Sequence, residues 1–257
     1  MTPAALVLLA AASAQAAAPP AECWGKHGAF LAAVIENPGA NLRVDLGAKG
    51  FAAASKLGLV VANGTFFAAG SSGLTPLGDA VVDGKPAARP PEDRVTAADG
   101  RKIDLSARWG VGVDAAGRAK VYTGAQARGA GLRQFLGGAG LLLHKGRPAL
   151  TANRYEEGVW GPSFAPDVLA RVTGRTALGV RADGALVVVH APRDPGVGLA
   201  ALARALVEFG ALDAVFYDGG KAAAFSAGPP GHPLRLHSPP HAAEDVNPSH
   251  LVFKACR

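Results

Sequence analysis

Cysteine is nearly absent from this 257-residue chain, with two in all, and so is methionine, with one. Two thiols cannot build the Cys-rich ligand set of a structural zinc module or the dense framework of a small disulfide-stapled domain. Lys and Arg are scattered, with no basic run and no strip of interleaved aromatics, which removes the usual footprint of a nucleic-acid binder. No G-x-S-x-G elbow, Walker A loop, G-x-G-x-x-G after a strand or H-E-x-x-H occurs, so the common serine hydrolase, nucleotide and zincin readings have no support. No apolar run is long enough to cross a bilayer. The longest, Ala4 to Ala18, is rich in alanine and ends with Ala14 and Ala16 at A-x-A spacing. Residues 1–18 therefore read as a cleaved signal peptide with the mature chain starting near Ala17, although no Lys or Arg precedes the apolar run. A secreted or periplasmic protein without stable membrane insertion is expected.

What is present suits a folded chain. Hydrophobic residues make up 49% and charged residues 18%, enough to bury a substantial core. The formal net charge of +6 and a pI near 9.6 favour an acidic partner, such as a phosphodiester or an anionic glycan. Cys23 and Cys256 stand near the two ends of the mature chain. An oxidising compartment would let them pair, and two unrelated thiols are the alternative.

No polar linker divides residues 19–257 before the proline- and histidine-rich segment 229–250, so one domain is expected. Short apolar runs punctuated by turn signals predict strands at Leu57–Ala62, Ala80–Val82, Trp109–Val113, Ala119–Tyr122, Gly140–Leu143, Ala177–Val180, Ala185–His190 and Ala214–Tyr217. The Asp83-Gly84, Asp99-Gly100 and Asp183-Gly184 pairs suit tight turns. Leu199, Leu202, Ala203, Leu206 and Phe209 recur at helical spacing and predict one amphipathic helix, stopped by Gly210. Hairpin, helix and strand then lead to Asp218 at a strand's C-terminal end. The predicted class is α+β, a mixed β-sheet core with flanking helices. His232, His237, His241 and His250, with Glu244 and Asp245, form a ligand-rich tail, but their spacing fits no zinc site and the prolines predict an exposed loop. No metal or cofactor is expected.

Three segments carry a family resemblance. Val60-Val61-Ala62-Asn63-Gly64-Thr65-Phe66-Phe67 is an apolar strand entering a polar turn and two aromatics. Gly137 to Gly146 is a glycine-rich strand and turn. Arg175-Thr176-Ala177-Leu178-Gly179 opens a stretch that closes with Phe216-Tyr217-Asp218-Gly219-Gly220. In order and spacing these resemble the phosphodiester glycosidases, over roughly Leu42 to Gly228. The resemblance implies an exported hydrolase cleaving the glycosidic bond of a sugar-1-phosphodiester or related phosphoglycan.

On that resemblance Arg175 and Asp218 are the catalytic candidates, and Asn63, Gly64, Thr176, Gly219 and Gly220 the substrate-binding ones. Arginine presents a planar fork matched to phosphate oxygens, and Arg171 is a weaker candidate for the same task. Asp218 either faces a cleft beside two glycines or caps a turn, and Asn63 either meets substrate or shapes a plain turn. The chain departs from the family where Lys221-Ala222-Ala223-Ala224 replaces a glycine and hydroxyl residues, where Thr65 replaces a glycine, and where Val189-His190 replaces an aspartate-glycine turn. A lone histidine ending a strand, such as His190, is more often structural. A non-catalytic glycan- or phosphoglycan-binding protein that kept the fold is the alternative reading.

Overall fold

In the computed structural model the described residues are 24–70, 73–89, 93–96, 102–149, 171–233, 235–237, 245 and 247–255. The leader, Cys23, Cys256, Asp99-Gly100, His241 and Glu244 lie outside them, as does any pairing of the cysteines.

Strand is the dominant element. A seven-stranded sheet runs in the order Trp24–His27, Phe30–Ile35, Leu186–Ala191, Arg175–Arg181, Ala211–Phe216, Gly140–His144 and Arg147–Pro148. One five-stranded sheet holds Ala119–Thr123, Trp109–Val113, Gln134–Gly137, Ala80–Val82 and Lys85–Ala88; another holds Arg235–His237, Phe225–Ala227, Val60–Asn63, His250–Phe253 and Leu42–Asp45. Every pairing among the described strands is antiparallel. The predicted α+β class thus holds only in part. The fold is mostly β-sheet, and Leu199–Glu208, at ten residues, is the longest helix among the described residues.

Side-chain alternation explains the layering. In Leu186–Ala191, Leu186 and Val188 join a core shared with Val60, Val111, Leu136, Phe225 and Leu251 of the two smaller sheets. Val187, Val189 and Ala191 point the other way and pack with Leu199, Leu202 and Leu206 of the helix. The seven-stranded sheet is therefore covered on both faces, and its central strands are continuous apolar runs for that reason. The helix lies against Ala211–Phe216, Arg175–Arg181 and Leu186–Ala191. Exposed Val207 marks its outer face.

The hairpin joining Arg175–Arg181 to Leu186–Ala191 turns at Asp183-Gly184, where Gly184 has φ 82° and the Asp183 carboxylate accepts the Ala185 N–H at 3.0 Å. Asp83-Gly84 makes a second such turn, with φ of 48° and 79°. The C-terminal segment departs from the expected loop at Arg235–His237, an edge strand paired with Phe225–Ala227, and again at its end. His250 is not in an exposed loop: it begins the His250–Phe253 strand, fully buried between Leu42–Asp45 and Val60–Asn63, with Nδ1 3.4 Å from the Asp45 carboxylate. A strand inside the third sheet has its backbone groups paired on both edges, and that requirement outweighs the turn chemistry of the prolines before it.

Candidate active site

Two of the three sequence segments meet where the seven-stranded sheet adjoins the sheet of Val60–Asn63, and the third, through Gly140–His144, pairs with Ala211–Phe216 beside them. Asn63 ends its strand completely buried, and its side-chain oxygen accepts from Thr176 Oγ1 at 2.6 Å and from the Ala224 N–H at 2.9 Å. Its amide nitrogen donates to the Asp218 carbonyl at 2.8 Å. One side chain thus ties Val60–Asn63 to the Arg175–Arg181 strand and to the loop around Asp218. A backbone donor on one side and a backbone acceptor on the other fix which way the amide points. Asn63 is consequently spent on protein contacts and acts as a strut.

The same logic sets a proton on His190. The Thr176 hydroxyl has one hydrogen and gives it to the Asn63 oxygen, so His190 Nδ1, 3.1 Å from Thr176 Oγ1, must be the donor to it. His190 is buried and its ring stacks on Phe225, with centroids 5.6 Å apart. It completes the line His190, Thr176, Asn63, Ala224.

Asp218 follows the buried Phe216 and Tyr217 as the chain leaves its strand. The Asp218 N–H donates to the Gly64 carbonyl at 3.2 Å, and the carboxylate accepts the Gly219 N–H at 2.8 Å. Gly219 is needed because a Cβ there would stand 2.8 Å from the Gly174 carbonyl. Burial pushes the Asp218 carboxyl up to about 7, against the opposing pull of the Gly219 N–H and of the Arg108 and Arg175 charges. Gly64 serves packing: a Cβ would meet Ser249 and Leu136. Gly220, at φ 62°, donates its N–H to the Gly174 carbonyl and opens the Gly220–Ala222 turn. The departing Lys221-Ala222-Ala223-Ala224 stretch puts three buried alanines behind the site, the last of them held by Asn63.

Arg175 is buried, with Nη2 donating to the Arg171 carbonyl at 2.8 Å and Nε to the Val197 carbonyl at 3.5 Å. Its guanidinium adjoins Gly219. Arg171 itself enters the site through its backbone. Arg108, which the sequence did not single out, is 2% exposed. It lies over the Phe66 ring at 5.5 Å and donates Nη1 to the Leu77 carbonyl at 3.0 Å. Burial lowers its pKa to about 9, offset by the negative charge of Asp218, so it remains a cation at neutral pH. Its one sequence signal was a cation placed directly before the apolar, glycine-alternating strand Trp109–Val113, a pattern with no motif attached.

Two buried arginines whose charges act on one carboxyl of raised pKa form a grouping suited to an anion with a protonatable group beside it. A cavity of about 750 Å³ opens elsewhere, among Leu46, Lys49, Leu74, Pro76, Asp245 and Asn247, and none of the site residues line it.

Residues 56–253 match the sequence profile of the phosphodiester glycosidases, well over half the chain. The chain belongs to that family. Among solved structures it resembles the catalytic domain of zebrafish N-acetylglucosamine-1-phosphodiester alpha-N-acetylglucosaminidase, auto-inhibited by its pro-peptide. That match has a TM-score of 0.66 and 18% identity, over 88% of this chain and 76% of that one. A hypothetical protein from Synechocystis matches with a TM-score of 0.57 and 15% identity, over 88% of this chain and 59% of that one. A Burkholderia pseudomallei protein inferred to be exported matches with a TM-score of 0.56 and 17% identity, over 88% and 74%. At these identities the likeness is one of fold. No curated protein matches the chain by sequence. Among the described residues no helix is long and apolar enough to cross a membrane.

Proposed function

We propose that this phosphodiester glycosidase family member hydrolyses the bond between a sugar's anomeric carbon and a phosphodiester, with Asp218 as the catalytic carboxyl. One observation carries the reading: a half-buried carboxyl raised to about 7, with arginine charges on the elements around it. Water adds to the anomeric carbon, the bond from that carbon to the bridging oxygen breaks, and the oxygen leaves with phosphorus as a phosphomonoester. Ionised Asp218 accepts the proton that the water loses and opposes the positive charge developing on the sugar ring. A phosphate leaving group is stable as an anion, so the general acid of ordinary glycosidases is not required. The positive charge of Arg175 favours the anionic substrate, while Asn63, Thr176 and His190 hold the Asp218 loop in place.

Family membership and the fold likeness to a phosphodiester-cleaving glycosidase support the reaction class. The buried alanines at 222–224, where hydroxyls were expected, favour a second reading, a phosphoglycan-binding protein without turnover. A panel of sugar-1-phosphodiesters incubated with the purified chain separates the two. Release of reducing sugar is expected, and binding without release would select the second reading.

A further inference from the structure

Arg108 has a polar edge that the fold does not use. Its Nη1 is engaged by the Leu77 carbonyl, whereas Nε and Nη2 are buried with no hydrogen-bond partner. Nε–H and the adjacent Nη2–H are the two parallel donors of a guanidinium's side-on fork, the edge that takes two oxygens of one carboxylate or phosphate. Leaving such donors unpaired at 2% exposure is costly, more so on a charged group. Asp218 feels this charge and Arg108 feels that of Asp218, yet the two form no ion pair within 4.0 Å among the described residues. Arg175 differs, since both its Nε and its Nη2 face backbone carbonyls. Phe66 beneath the Arg108 guanidinium holds its plane, and Phe66 is itself braced edge-on by Phe216, two residues before Asp218.

We propose that the Nε–Nη2 edge of Arg108 is an oxyanion-binding site that takes the two non-bridging oxygens of a phosphodiester. The ligand class rests on the proposed function; the free edge does not. Arg175 then ties the Arg171 and Val197 carbonyls together and adds charge, and Arg108 supplies the direct contact. In this arrangement the fork orients the phosphate group while Asp218 faces the carbon being attacked.

Dimethyl phosphate is the minimal probe, and trimethyl phosphate is its uncharged counterpart. Arginine Nε–H signals in proton–nitrogen spectra would be followed during titration of the wild-type chain. The Arg108 signal should move saturably with dimethyl phosphate and stay in place with trimethyl phosphate. Arg108→Lys keeps the charge and the stem but loses the fork, and should weaken dimethyl phosphate binding by about tenfold or more. An Arg108 signal that stays still, moves equally with the neutral ester, or a folded R108K variant that binds like wild type would overturn the proposal. Because the wild-type signal is read directly, the test stands even if R108K does not fold. Probe binding without sugar release would defeat the hydrolase reading alone, and sugar release with a silent Arg108 would defeat this proposal alone.

Discussion

In the proposed reaction Asp218 concentrates the chemistry into one titration. Its folded-state pKa lies near 7, against 3.8 for an ordinary aspartate, because burial disfavours the ion more than Gly219 and the two arginines favour it. Between those values the folded chain holds a proton that the unfolded chain has lost, so stability falls as pH rises from about 4 to 7. Asp218→Asn mimics the protonated form, and its thermal midpoint should exceed wild type at pH 8 and match it near pH 3.5. Activity should move the opposite way. With Asp218 as the base, kcat/KM should rise through about pH 7, and Asp218→Asn should lose orders of magnitude in kcat with KM little changed. Asn63 predicts a different pattern. Asn63→Ala leaves the Ala224 N–H, the Thr176 hydroxyl and the Asp218 carbonyl without it, at about 1–3 kcal/mol for each buried group left unpaired. Chemical denaturation should show that loss, which a purely substrate-binding side chain would not produce.

At the scale of elements, the helix and its hairpin carried their own instructions. Leu199, Leu202 and Leu206 fall on one helical face, and Asp183-Gly184 is a turn that needs positive φ, so both were legible before any packing was known. Leu202→Ala or Leu206→Ala should each cost about 2–5 kcal/mol, since both side chains are fully enclosed between helix and sheet. Of the third sheet only the apolar run at Leu57–Ala62, seen as the Val60–Asn63 strand, was legible. Its Leu42–Asp45, Phe225–Ala227 and His250–Phe253 strands are three or four residues long and pair with partners far away in sequence, so local periodicity has almost nothing to register. Asn63 shows the same limit: Asn-Gly reads as a turn, but Gly64 continues by donating to the Ser249 carbonyl and leaves Asn63 inside.

At the scale of the molecule, the site exists because the seven-stranded sheet and the third sheet share a seam. Arg175, Thr176 and Asp218 come from the first, and Asn63 and Ala224 from the second or its approach. The family was readable from the order of three motifs, whereas Arg108 was not, because its burial and free edge arise only once the fold brings it over Phe66 and against the Leu77 carbonyl. The leader and the cysteine pair are further proposals: non-reducing mass spectrometry of exported protein should give a chain starting near Ala17 with a Cys23–Cys256 bridge, and an intact leader with two free thiols would contradict both. In the proposed reaction the bond between the anomeric carbon and the bridging oxygen breaks, with Asp218 activating water. Hydrolysis of a sugar-1-phosphodiester in ¹⁸O-water, with both products weighed, tests it most directly. The label should appear on the sugar's anomeric hydroxyl, and in Asp218→Asn turnover should almost vanish. Label in the phosphate, or undiminished turnover in Asp218→Asn, would rule this mechanism out.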